Sequence, residues 1–163
     1  MDSIRIFGYK SFKKLSVQLH PINLLIGANG AGKSNFLSLF EMLGNIYEKR
    51  LGAYVAQVGG VDKLLYQGRK VTDRIAVNLL IAKSEYDLAL LESDGKLIVE
   101  REAIGCYDDV CPLDLVRKNV ITEYQSESSL KDHKEEDLSN YISQIRKFHF
   151  HDTGRRSPFT ADS

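Results

Sequence analysis

Three observations predict an α/β fold. A nearly continuous apolar run, Ile22 to Ile26, ends in a glycine-rich loop, and an apolar stripe at three- and four-residue steps follows that loop at once. Before and after this centre, segments alternate apolar with polar residues between turn-forming residues. Strand, loop and helix flanked by antiparallel β-structure is the arrangement these patterns describe.

In chain order, Ile4 and Ile6 give the strand period from Ser3 to Phe7, and Leu15, Val17 and Leu19 repeat it after the turn-like "GYKS", so the chain opens on an antiparallel pair. Pro21 resets the backbone, and Ile22 to Ile26 read as a central strand covered on both faces. Phe36, Leu39, Phe40, Leu43 and Tyr47 mark one face of an amphipathic helix. Residues 1–50 thus hold the strand pair, the loop and its helix. Gly52, Gly59 and Gly60 interrupt the next region. Ile75 to Ile81, Tyr86 to Leu90 and Leu97 to Val99 then alternate, with Ser93, Asp94 and Gly95 as turn residues, giving an antiparallel meander over 74–103. Residues 107–147 read as a mobile stretch, with "SESSLKDHKEED" a solvated loop or a loosely held helix, leading to a helix with Leu138, Tyr141, Ile142 and Ile145 on one face after Asp137. Residues 148–163 continue the alternating "KFHFH" as a strand and end in a loop. No internal repeat is present.

A chain of 163 residues suits one compact unit. No apolar run approaches the roughly 18 to 20 residues of a membrane span, and the N-terminus lacks the apolar core of a signal peptide, so a cytoplasmic location is the expectation. Cys106 and Cys111 have no second pair to complete a zinc site and read as ordinary thiols. With 22 basic and 22 acidic residues there is no global basic field, so nucleic-acid binding would need a local patch.

Gly27, Ala28, Asn29, Gly30, Ala31, Gly32, Lys33 and Ser34 fit G-x-x-x-x-G-K-[ST], the phosphate-binding P-loop. Small residues let the backbone wrap a polyphosphate so that its N–H groups and the helix start face anionic oxygens. Lys33 supplies a cation for the β- and γ-phosphates, and the Ser34 hydroxyl is the expected ligand of Mg²⁺. The motif says nucleoside triphosphate without saying which enzyme.

The flanks narrow it. "GYKSF", Gly8 to Phe12, and "GANGAGKSN", continuing into Asn35, resemble the N-terminal nucleotide-binding half of the SMC, RecF and ABC-type ATPases. More closely, the chain resembles predicted bacterial AAA/ABC-type ATPases sharing that head fold, with "GGVDKLLYQG" at Gly59 to Gly68 and "HFHD" at His149 to Asp152. The resemblance implies a P-loop NTPase half-domain of the ABC/SMC-head type, with an antiparallel β-subdomain and a helical C-terminal segment. It further implies that Lys10 and Ser11 lie near the nucleotide, that Asn29 and Gly30 to Ser34 hold its phosphates, and that Asn35 begins the helix beneath them. ATP with Mg²⁺, a head-to-head homodimer through nucleotide, and DNA as a candidate partner are the ligands and partners it implies. Arg69 and Lys70 correspond either to a basic loop near nucleotide or DNA, or to two solvated charges at a turn.

Hydrolysis in such enzymes needs a strand ending in Asp-Glu and a signature motif from the partner head. Neither is visible. "LALLE", Leu88 to Glu92, ends in a single carboxylate and alternates like a hairpin strand, and "DLSNY" at Asp137 to Tyr141 matches the signature only in part. His149, His151 and Asp152 read as a metal trio, as the stretch that bears the Q-loop in related heads, or as the exposed face of a strand burying Phe148 and Phe150. Gln57, Gln67 and Gln144 are not ranked as Q-loop substitutes, and Arg155 and Arg156 are phosphate contacts or solvated charges. The function expected is ATP and Mg²⁺ binding by the N-terminal lobe of a RecF/SMC-like ATPase, linked to DNA repair, chromosome maintenance or phage defence. The alternatives are a nucleotide-binding module without turnover and another P-loop class. A GTPase is disfavoured by the absence of N-K-x-D, and a small-molecule kinase by the meander after the loop helix.

Overall fold

Strands β1 (Asp2–Tyr9) and β2 (Phe12–Leu19) form because residues of alternating polarity meet a two-residue turn, with Tyr9 facing Phe12 across it. Gly8 cannot be replaced there without strain. Its φ is +71°, and a Cβ would stand 2.1 Å from the Arg74 carbonyl oxygen. The computed structural model describes residues 2–81, 84–106, 117–133 and 136–143.

After the glycine-rich loop come α1 (Lys33–Tyr47) and α2 (Leu51–Gln57), then a 3-10 turn at Val61–Lys63. Strands β3 (Arg74–Ile81), β4 (Ser84–Ser93) and β5 (Lys96–Cys106) follow as the expected meander. Asp94 and Gly95 both take positive φ in the β4–β5 turn, the conformation that matches a hairpin's twist. β6 (Arg117–Gln125), a 3-10 turn at Leu130–Asp132 and α3 (Glu136–Ser143) complete the described chain. All six strands lie in one antiparallel sheet of order β2-β1-β3-β4-β5-β6. The opening pair and the meander are therefore not separate. β1 joins them through its pairing with β3.

One sheet face carries Ile4, Ile6, Ile75, Val77, Leu79, Tyr86, Leu88, Leu90 and Val99, all buried. Against it pack Phe36, Leu39, Met42, Leu43 and Ile46 of α1, Leu51, Tyr54 and Val55 of α2, and Ile142 of α3. α1 ends in a Schellman arrangement with Lys49 at φ +55°: Arg50 N–H donates to Asn45 O at 2.8 Å and Lys49 N–H to Ile46 O at 3.0 Å.

Three expectations are corrected. Ile22 to Ile26 form no strand; Ile22, Leu24 and Ile26 are 90%, 81% and 83% exposed, and no neighbouring strand among the described residues pairs with them. An apolar run encodes a buried strand only when neighbours exist to cover it. Gly52 does not interrupt the chain but lies in the first turn of α2.

The third correction concerns the stretch expected to be solvated. Its part at 117–125 is strand β6, and 126–133 is tied down at several points. Glu102 is fully buried on β5, and its carboxylate accepts from Tyr86 Oη at 2.5 Å, Ser128 Oγ at 2.6 Å and the Ser129 amide at 2.9 Å. Glu127 accepts from the Leu51 amide at 3.0 Å and from that of Gly52 at 3.4 Å, capping α2 from a distant part of the chain. Lys131 pairs with Glu48, and Lys49 with Asp132. These last pairs are exposed and add little; the buried Glu102 cluster holds the segment.

Replacing Glu102 by Ala leaves the Tyr86 and Ser128 hydroxyls buried without their acceptor, and we expect a loss of about 2–4 kcal/mol in urea unfolding. Burial pushes the phenols of Tyr9, Tyr54 and Tyr86 above their ordinary value of 10.0. The unfolded chain therefore gives up these protons at lower pH than the folded chain does, and stability falls as pH rises past 10. Melting followed by circular dichroism should be flat near pH 8–9 and decline steeply above about 10.

Candidate phosphate-loop site

The loop runs from Gly27 into the first turn of α1. Gly30 and Gly32 take φ of +83° and +92°, a region open to glycine, and Gly32 stands directly before the helix. A Cβ on Gly32 would meet the Phe12 ring and Ser11 Oγ at 3.1 Å, so the β1–β2 turn fixes how closely the loop can be built. α1 has no side-chain cap and no acidic residue in its first turn. Its leading N–H groups therefore face outward with the positive end of the helix dipole, an arrangement that receives an anion.

Lys33 Nζ donates to Gly27 O at 2.6 Å and Ala28 O at 2.7 Å, folding the ammonium back across the loop. Ala31 N–H donates to Ala28 O at 3.2 Å and closes the turn. Asn29, Ala31 and Ser34 are exposed. Ser34, at the second position of α1, offers one oxygen at the loop's edge. That suits Mg²⁺, which takes few protein ligands and fills its octahedron with phosphate oxygens and water. Among the described residues no group of three or more His, Cys, Asp or Glu side chains could hold a metal by itself.

Beside the loop sits the β1–β2 turn. Asn35 Nδ2 donates to Ser11 Oγ at 2.9 Å. Lys10, at φ +46°, places its ammonium 2.8 Å from Ser38 Oγ and 5.5 Å from the centre of the Tyr9 ring. Ser38 Oγ donates to Asn35 O at 2.8 Å and lies 2.9 Å from Tyr9 Oη, while Tyr54 Oη donates to Ser38 O at 3.3 Å. The hydroxyl has one proton, already given to Asn35, so Tyr9 is the donor in their bond. Burial is the main cause that raises the Tyr9 and Tyr54 phenols and keeps them neutral donors.

The Gly59–Gly68 segment lies against the same turn: Lys10 N–H donates to Leu64 O at 2.7 Å and Tyr66 N–H to Gly8 O at 2.9 Å. A cavity of about 900 Å³ opens between them, with Lys10, Ser11 and Asn35 on one side and Lys63, Arg69 and Lys70 on the other. Asp62 shapes its far wall, accepting from the Arg69 amide at 2.9 Å and pairing with Arg69 Nε at 3.3 Å. Arg69 and Lys70 are thus brought to the loop's neighbourhood.

Sequence reasoning missed Ser38 and Tyr9. The signal was a serine interrupting the apolar stripe of α1, on its buried face, and a tyrosine buried at the end of β1. It also missed Lys63 and Asp62. The decoy "LALLE" lies in the second half of β4, with Leu88 and Leu90 in the core and Glu92 Oε1 accepting from the Gly95 amide in the hairpin turn. "DLSNY" lies within α3. Gln67 lines the cavity and Gln57 ends α2. His149, His151, Asp152, Gln144, Arg155, Arg156 and Cys111 lie outside the described residues.

Among curated proteins none matches the chain. The family described as AAA ATPase domain matches residues 1–150, which takes in the loop, α1, the adjoining cavity and the whole sheet. Nucleotide binding of the ATPase type is accordingly its general function, and the chain belongs to the AAA ATPase domain family.

Proposed function

We propose that the Gly27–Ser34 loop grips the phosphates of ATP, with Mg²⁺ on Ser34, in the N-terminal lobe of a RecF/SMC-like ATPase. The observation that carries this reading is the uncapped start of α1 behind Gly32, with no carboxylate in the first turn to compete with an anion. On binding, Lys33 exchanges the Gly27 and Ala28 carbonyls for phosphate oxygens, and Asn29, Gly30, Ala31 and Gly32 present backbone N–H groups. Lys10 and Ser11, which line the adjoining cavity, lie near the nucleotide, and Asn35 begins the helix beneath its phosphates.

Turnover draws on groups from outside the described residues. Beside the loop the described residues place one carboxylate, Asp62, already paired with Arg69, and the exposed apolar Ile22–Ile26 segment is a surface for further structure to cover. Those groups come from a longer chain or from a second copy docked head to head through the nucleotide. The cellular role of such an assembly is DNA repair, chromosome maintenance or phage defence. A second reading, a nucleotide-binding module without turnover, is favoured by the same missing carboxylates.

Calorimetric titration of ATP with Mg²⁺ tests the site. Lys33→Ala should weaken binding by about tenfold or more, and Ser34→Ala should abolish the magnesium dependence while leaving weaker, metal-independent binding. Equal affinity in the native chain and both variants would place the nucleotide elsewhere. Steady phosphate release by the isolated chain, lost in Lys33→Ala, would show instead that the chain carries its own catalytic groups.

A further inference from the structure

The sheet face turned away from the helices carries a shallow trough of about 780 Å³, separate from the phosphate loop. Strand register builds it. Lys14 of β2 faces Phe7 of β1, Phe7 faces Ala76 of β3, Ala76 faces Ala89 of β4, Ala89 faces Arg101 of β5, and Arg101 faces Glu123 of β6. Directly opposed residues point to the same face, so these six side chains form one row across the whole sheet. At a strand spacing of about 4.8 Å the row is roughly 24 Å long. Its middle is low because two alanines stand opposite each other at the centre of the sheet. On either side come longer groups: Phe7 is 45% exposed, and Lys14, Arg101 and Glu123 are exposed as well.

Charges of both signs stand on this face, and their order distinguishes it. Lys14 and Glu123 mark the two ends of the row, on the two edge strands of the sheet. Neither they nor Arg101 form an ion pair with a described residue. The sequence of the row, Lys-Phe-Ala-Ala-Arg-Glu, is complementary to its own reverse: Lys meets Glu, Phe meets Arg, and Ala meets Ala. A two-fold axis parallel to the strands, midway between β3 and β4, performs that reversal. It lays Lys14 of one copy over Glu123 of the other, Phe7 over Arg101 and Ala76 over Ala89, each contact made twice, as an isologous interface requires. In the neighbouring row it brings Arg5 over Ala103, with Asp87 one strand away. A two-fold axis along the row would instead set Lys14 on Lys14, Arg101 on Arg101 and Glu123 on Glu123, and like charges in register repel.

We propose that this face binds a second copy of the chain, sheet against sheet, about a two-fold axis parallel to the strands. Packed sheets lie about 10 Å apart, and the alanines at the centre leave room for that approach. The Phe7 ring and the Arg101 guanidinium reach into the opposing trough from either side, where the cation lies over the ring face. Six strands at about 4.8 Å spacing, with the eight residues of β3 at about 3.4 Å each, give a footprint of roughly 650 Å² per copy. Two such footprints total about 1,300 Å², within the range of specific interfaces and near its lower end. The contact uses no residue of the phosphate loop and needs no nucleotide, so it is distinct from a head-to-head dimer through ATP and does not depend on the nucleotide reading.

The test is sedimentation velocity of the chain without nucleotide, over about 2 to 200 μM, where an interface of this size should show a monomer–dimer equilibrium. Lys14→Glu sets two carboxylates against each other at both ends of the row, and Glu123→Lys sets two ammonium groups there. Each variant alone should dimerise at least about tenfold more weakly than the native chain, with an unchanged melting curve because both side chains are exposed. Mixed in equal amounts, the two variants should form a heterodimer, since each reversed charge then meets its opposite. Phe7→Ala should weaken the dimer by about fivefold or more. A native chain that stays monomeric at about 200 μM leaves the face to another occupant and overturns the proposal. So does a dimer indifferent to both charge reversals, a pair of variants that fail to rescue each other on mixing, or a dimer that forms only with ATP and Mg²⁺.

Discussion

A hydroxyl has one proton to give and two lone pairs to receive, and Ser38 uses all three between the sheet and the phosphate-loop helix. It gives its proton to Asn35 O inside α1 and accepts from Tyr9 at the end of β1 and from Lys10 in the β1–β2 turn. Being 7% exposed, the serine has little water with which to replace any of these partners. The turn is thereby fixed against the second turn of α1, and Ser11 and Phe12 come to rest on Gly32 and Asn35. The loop before α1 inherits its position from this joint. Without it, the start of α1 would be held to the sheet by its apolar packing and by the exposed Asn35–Ser11 bond.

The far end of α1 is held by different chemistry. The chain leaves the helix through Lys49 in the left-handed region and enters α2, whose first amides are capped by Glu127. Glu127 is in turn fixed because its neighbours Ser128 and Ser129 are bonded to buried Glu102 on β5. A helix secured to the sheet at both ends, with five apolar side chains in the core between, presents its N-terminus in a defined direction. A phosphate site built from backbone N–H groups needs this, since those groups have no side-chain torsions with which to adjust.

Much of this was legible in the sequence, and what was not has physical reasons. Alternation found β1, β2 and the β3–β5 meander because one face of each is buried and the other is not. The stripe from Phe36 to Tyr47 found α1, and the P-loop spacing marked the glycine-rich loop that leads into it. Ile22–Ile26 misled because burial belongs to the neighbours of a strand and not to the strand. The 126–133 segment misled because its polar composition reads as solvated, whereas Ser128 and Leu130 are buried and Glu127 caps a helix some seventy residues earlier. Ser38 was hidden as one polar residue in an apolar stripe. The outer trough was hidden because it depends on Ala76 meeting Ala89, and register is a pairwise property that neither strand records alone.

The central claim is that the loop before α1, positioned by the Ser38 joint, is where the nucleotide's phosphates bind. Amide hydrogen exchange, measured residue by residue with and without ATP and Mg²⁺, addresses it most directly. The account predicts that the amides of Gly30 to Ser34 slow markedly on adding nucleotide while those of Tyr86 to Leu90, already bonded within the sheet, do not change. Loop amides that exchange at the same rate with saturating nucleotide, or protection confined to another part of the chain, would contradict it.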